Sequence, residues 1–201
     1  MRSLWCALLI VVAVGQGANA DNKDPNDPRE LLRTKWDAVI AVLQKKDIDQ
    51  EKKERQISKI VSPMFDFPLM AKLALGRTHW PKFTAPQREK FTKLFIELLK
   101  TSYREKILLY TNEKAIFKTA VHNKKNKKIV DVPMELIYQD KKVAILYRLH
   151  KTDPPKTRWK VYDVEIQGVS ILLTYRSQLD DILRSGTVED LLSRLEKPPA
   201  R

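Results

Sequence analysis

The spacing of apolar residues divides the chain into three parts. From residue 28 to about 110 they recur every three to four residues, from 115 to 166 every second residue, and from 170 to 195 at helical spacing again. Leu31, Leu32, Trp36, Val39, Ile40 and Leu43 mark one face of a first helix, with Pro28 suited to its first turn because that turn leaves the missing N–H unneeded. Asp49 to about Ser62 predicts a second helix with a thin stripe of Ile57, Ile60 and Val61, stopped by Pro63. Asp66 is a candidate N-cap for a third, which carries Leu69, Met70, Leu73 and Ala74 and ends at Gly76. Thr84-Ala85-Pro86-Gln87 has the capping-box pattern and opens the longest helix, to about Tyr110, with Phe91, Leu94, Phe95, Leu98, Leu99 and Ser102 on its inner face.

The alternating part predicts four strands. Phe117, Thr119 and Val121 alternate on the first, Val130, Val132, Met134 and Leu136 on the second, and Val143, Ile145, Tyr147 and Leu149 on the third. On the fourth, Tyr162, Val164 and Ile166 share one face and Val161, Asp163 and Glu165 the other. Short turns at Asn123–Asn126, Gln139–Lys141 and Asp153–Lys156 separate them, which implies an antiparallel meander. Pro133 cannot donate to a ladder and predicts an edge or a bulge. After Gly168 the pattern turns straight into a helix, with Ser170 as N-cap and Ile171, Leu172, Tyr175, Leu179, Ile182 and Leu183 on its stripe. Gly186 and Thr187 separate it from a last helix bearing Leu191, Leu192 and Leu195. The fold class is α+β: a four-stranded antiparallel meander with one apolar face, covered on that face by five to seven helices.

The N-terminus stands outside this scheme. Arg2, the apolar run Leu4–Val14 and Ala18-Asn19-Ala20 read as a signal peptide over residues 1–20, leaving one domain over residues 21–201. Cys6, the sole cysteine, sits near the start of the apolar run rather than after it and is misplaced for a lipoprotein anchor. Its removal excludes thiol chemistry, disulfides and cysteine-ligated metals from the mature chain. The formal net charge of +13 would suggest nucleic acid in an intracellular protein, but export makes an anionic membrane surface, a lipid phosphate or an acidic protein the better partner.

Candidate chemistry is sparse. His79, His122 and His150 have no neighbours at metal-ligand spacing, and a structural role is expected for each. Asp163 and Glu165 share a strand face opposite the apolar one, which suits salt bridges better than acid–base work. No phosphate-binding loop, dinucleotide fingerprint or nucleophile elbow is present. The lysine cluster in residues 123–128 lacks interleaved aromatics and reads as a solvated hairpin tip. Periodicity alone reads the sheet's apolar face as ordinary core.

Three segments carry a resemblance. Phe67-Pro68-Leu69-Met70-Ala71-Lys72-Leu73-Ala74-Leu75-Gly76, Pro86-Gln87-Arg88-Glu89 with its helix to Tyr103, and Trp159 to Gln178 are similar, in order and spacing, to the MlaC or toluene-tolerance family. The resemblance spans about Pro28 to Leu195; the lysine-rich 123–128 segment departs from it. It implies a periplasmic, non-enzymatic phospholipid carrier without cofactor, built as an NTF2-like cone with an apolar acyl-chain pocket. The family shuttles lipid between an outer-membrane lipoprotein complex and an inner-membrane ABC transporter complex, and a monomer is expected. A hopanoid-associated lipid carrier and an NTF2-like enzyme acting on an apolar small molecule remain open alternatives. In such a cone, the last strand and the helix after Gly168 diverge from one corner and leave an apolar wedge. Val132, Met134, Ile145, Tyr147, Val164, Ile166, Val169, Leu172 and Tyr175 are the expected lining residues.

Overall fold

The computed structural model describes residues 27–108, 114–138, 141–154 and 158–197. The proposed signal peptide, the Gln139–Asp140 turn, most of the Pro154–Thr157 connection and the end of the chain lie outside these residues. Within them the helices are α1 (Pro28–Leu43), α2 (Gln50–Val61), α3 (Phe67–His79), α4 (Ala85–Leu108), α5 (Ile171–Ser185) and α6 (Val188–Glu196). Their starts follow the capping chemistry. Asp27, Asp49 and Asp66 accept from backbone amides of α1, α2 and α3. Gln87 reaches back to the Thr84 amide at 2.7 Å, and Thr187 and Asp190 form a reciprocal box on α6.

The sheet is antiparallel and has six strands rather than the expected four: β1 (Lys114–Phe117), β2 (Val121–His122), β3 (Ile129–Tyr138), β4 (Lys141–Lys151), β5 (Trp159–Ile166) and β6 (Val169–Ser170). The order is β1-β3-β4-β5-β6, with β2 also paired to β3. Two short additions account for the difference. Residues 118–120 leave the ladder and split the expected first strand into β1 and β2. That break lies beside Pro133, whose carbonyl accepts from the Lys118 amide at 2.8 Å. N–H and C=O of one strand residue point the same way, so the proline's missing donor faces the gap and costs no ladder bond. The other addition is β6. Gln167 (φ 50°) and Gly168 (φ 80°) form a two-residue hairpin that pairs Val169 with Ile166 and Ser170 with Glu165. The chain therefore reverses before α5 begins, instead of passing directly from strand to helix.

A second correction concerns β5. Arg148 pairs with Asp163 while its neighbour Leu149 pairs with Val161, a bulge that makes Tyr162 the extra residue. Strict alternation fails there: Val161 and Val164 both lie on the apolar face, and Tyr162 packs with the helices. Gly76 also behaves differently from a simple helix end. At φ 66°, ψ −172° it kinks α3, and one more turn follows at a new angle.

Three cores result. Val130, Val132, Leu149, Trp159 and Val161 on the sheet pack with Leu31 and Leu32 of α1. Val39 and Val42 of α1 pack with Ile57 of α2. Helices α3 to α6 form the largest core around Phe91, Phe95, Leu75, Leu179 and Leu191. This bundle meets the sheet at its β5 edge, where Phe65 bridges to Val161 and α5 follows β6.

Candidate functional site

Cross-strand register assembles six of the nine expected lining residues. Val132 pairs with Tyr147 and Tyr147 with Val164; Met134 pairs with Ile145 and Ile145 with Ile166. Directly paired residues share a face, so these six form two adjacent rows across β3, β4 and β5. Phe117 extends the second row onto β1 through its pairing with Met134. Val132 and Met134 are sealed, at 0% and 1% exposure, whereas Ile145, Tyr147, Val164 and Ile166 are half-buried. The only hydroxyl in the patch is that of Tyr147.

Of the other three, two sit elsewhere. Leu172 and Tyr175 belong to the helical core, where the Tyr175 ring meets Phe95 edge-on at 5.4 Å and its hydroxyl donates to Ser102 at 3.1 Å. Val169 pairs with Ile166 and so ends the second row on β6, where it is 61% exposed. For Leu172 and Tyr175 the reversal at Gly168 is the reason: it carries α5 away from the face on which Ile166 lies.

The sequence reading left out Trp36, Ile40 and Phe117 as site residues. Together with Ala41 and Ala115 they line a cleft of about 400 Å³ between α1 and the β1 edge, rimmed by Arg33, Asp37 and Gln44. The α1 stripe was legible, but its division between the sheet, α2 and this cleft depends on how the helix crosses the sheet. A smaller cleft of about 250 Å³ opens toward the far side of the sheet, bordered by Lys118, Pro133, Glu135, Ala144, Leu146, Glu165 and Gly168 and also by Met134 and Ile145.

That far side carries the charge. Arg148 bonds Asp163 at 2.9 Å and Glu165 at 2.6 Å. Asp163 is buried and also accepts from the Ser170 hydroxyl at 2.7 Å and the Leu172 amide at 3.1 Å. It thereby acts as a second cap on α5 and satisfies its charge with three donors. Burial raises the carboxyl pKa of the neighbouring Asp131 and the phenol pKa of Tyr162. These shifted groups face away from the apolar patch. The histidines are held structurally: His79 by Asp180 at 2.7 Å, His150 by Asp66 at 2.8 Å, and His122 tilted against Trp159. Among the described residues, no group of His, Cys, Asp and Glu is placed to hold a metal, and no helix is long and apolar enough to cross a membrane.

Comparison with known proteins adds a family to this geometry. The sequence profile of the MlaC protein family matches residues 33–197. The intermembrane phospholipid transport system binding protein MlaC of Haemophilus influenzae is 26% identical over 121 residues. That match takes in 60% of this chain and 56% of the relative, so the chain spans little more than half of the relative's length. A solved structure of the phospholipid-binding protein from Ralstonia solanacearum, in complex with a phospholipid, superposes with a TM-score of 0.73 at 26% identity. The superposition covers 85% of this chain and 95% of the other.

Proposed function

Because this chain belongs to the MlaC family, we propose that it is a non-enzymatic phospholipid carrier of the periplasm, exported by its first 20 residues. The observation that carries the reading is the two-row apolar patch of Val132, Met134, Ile145, Tyr147, Val164 and Ile166. Four of the six are only half-buried, which is apolar surface still available to a ligand. The acids with raised pKa values, Asp131 and Tyr162, lie on the other side of the sheet, where they cannot serve acid–base chemistry on a molecule bound to the patch.

In this proposal the patch receives acyl chains within an NTF2-like cone, and the Tyr147 ring packs on them while its hydroxyl turns toward the mouth. Two acyl chains hold roughly 30 methylenes, each worth about 0.8 kcal/mol when buried. A pocket that matches the bilayer in apolarity lets donor and acceptor membranes both exchange lipid with it. The cargo would pass between an outer-membrane lipoprotein complex and an inner-membrane ABC transporter complex. The clefts of about 400 and 250 Å³ lie just above and just below the lower end of ligand pockets, roughly 300–1,000 Å³, and Val132 and Met134 are sealed. Acyl chains therefore reach Val132 and Met134 only when the side chains now covering them give way.

Native mass spectrometry of the protein purified gently from the periplasm tests the reading, with bound phospholipid as the expected result. Val164→Trp fills the patch at a half-buried position and should give a folded protein without lipid. A lipid-free wild type, or a folded Val164→Trp with a full complement of lipid, would overturn the reading or its pocket respectively.

A further inference from the structure

The basic end of the sheet is assembled from two connections that lie far apart in sequence. The β2–β3 turn and the β4–β5 connection run side by side, with the Lys151 amide donating to the Lys128 carbonyl at 2.8 Å and Lys128 pairing with Asp153 at 2.6 Å. The described residues among 121–130 and 151–160 include seven basic residues and one acid. Lys124, Lys125, Lys127 and Arg158 are exposed. The turn that presents the lysines is braced by its own side chains. Asn123 accepts from the amides of Lys125 and Asn126 at 2.9 and 3.0 Å, and Asn126 from that of Lys128 at 3.0 Å. At the root of this end, burial and then the charge of Arg158 push the Lys160 ammonium pKa down. Val121, two residues before the turn, is 59% exposed.

A run of lysines alone is a solvated surface. Here the cations of two connections converge on one end, the backbone that carries them is fixed, and an apolar side chain stands exposed beside them. We propose that this end of the sheet docks on a membrane surface bearing anionic phospholipid headgroups. The phosphates meet Lys124, Lys125, Lys127 and Arg158, and Val121 enters the interface. A lysine is a flexible point charge that accepts phosphates in many positions, unlike the forked arginine that selects one carboxylate. A projecting turn carrying three of them suits a broad field of mobile headgroups better than a shaped acidic protein. The proposal goes beyond the carrier reading and does not rest on it, since docking requires no cargo.

Vesicle sedimentation of the purified protein tests it, using phosphatidylcholine vesicles with and without roughly 30% phosphatidylglycerol at low salt. The wild type should pellet with the anionic vesicles only, and salt should release it. Reversing the tip with K124E, K125E and K127E should lower the partition coefficient by at least on the order of a hundredfold, since each basic residue lost near such a surface removes roughly fivefold and each glutamate adds repulsion. The equally charged control K46E, K72E and K82E, at exposed positions outside this end, should lower it by less than about fivefold. Equal losses in the two variants would reduce the effect to overall charge and overturn the proposal. So would a wild type that ignores the anionic vesicles, or a tip-reversed variant that still binds them. Bound lipid measured in the same samples reports on the carrier reading separately.

Discussion

Asp131 and Asp163 are two carboxylates on the same side of the sheet with different environments. Asp163 is more deeply buried, yet it collects Arg148, the Ser170 hydroxyl and the Leu172 amide. For Asp131, burial dominates: it raises the pKa against the pull of Arg148, with Glu165 and Asp163 adding to the rise. A carboxyl whose folded-state pKa is raised binds more protons folded than unfolded between its ordinary and raised values. Stability therefore falls as pH climbs through that window, and the whole penalty is present at neutral pH. Asp131→Asn removes the penalty. Its melting temperature should exceed that of the wild type at about pH 7, and the two should converge near pH 3, below the ordinary carboxylate range. Thermal unfolding followed across that pH range checks this; a constant offset between the two curves would show that the charge of Asp131 is not responsible.

At the scale of elements, the segments that resemble the MlaC family meet one another. Arg176 of α5 donates through Nε to the Leu73 carbonyl of α3 at 2.9 Å and through a second guanidinium nitrogen to the same oxygen. Its side chain lies over Gly76, where a Cβ would meet Nε in ordinary contact at 3.5 Å. The kink at Gly76 removes the Leu73 carbonyl from an unbroken helical ladder and offers it to the arginine. Tyr175, beside it in sequence, reaches Phe95 and Ser102 of α4. The recognisable motifs thus build the helical bundle and its junction with β5, and of the apolar patch only the β5 residues Val164 and Ile166. Gly76→Ala should cost about 1–3 kcal/mol, because the backbone there is in a region open essentially to glycine alone. Urea unfolding measures it, and a change below about 0.5 kcal/mol would mean that α3 tolerates the strain or relaxes out of its kink.

The whole molecule places a strongly charged surface and an apolar interior on either side of one sheet. One side carries no acid or base along its two rows of three residues, Tyr147 supplying the sole polar group there, while the other holds Arg148, Asp131, Asp163 and Glu165. If the patch holds acyl chains, ligand occupancy and stability are linked. Protein stripped of lipid by detergent exchange should melt at a lower temperature, and added phospholipid should restore it, by about 2.7 kcal/mol at a hundredfold excess over Kd. Calorimetry of the stripped and reloaded protein measures the shift. An unchanged melting temperature in protein shown by mass to have lost its lipid would separate the cargo from the fold.

Local chemistry was legible in the sequence. The helices began where Asp66, Thr84, Ser170 and Thr187 could cap them, since a cap and its amides lie within four residues of each other. The apolar side of β3 could be read from Val130 to Leu136 because its period of two stays unbroken. So could the co-facing of Val132, Met134, Ile145 and Tyr147, which follows from a short turn between two regular strands. Other features depended on tertiary structure. The extra residue at Tyr162 shows only when β5 is laid against β4, and it reverses which side chains face the core. The two-residue hairpin at Gln167–Gly168 looked like a simple corner, because its pairing partners are just two residues on each side. That reversal separated Leu172 and Tyr175 from the patch. Trp36, Ile40 and Phe117 joined in a cleft because α1 crosses the β1 edge, and a crossing angle is set by side-chain packing between elements distant in sequence, which periodicity along one of them does not encode.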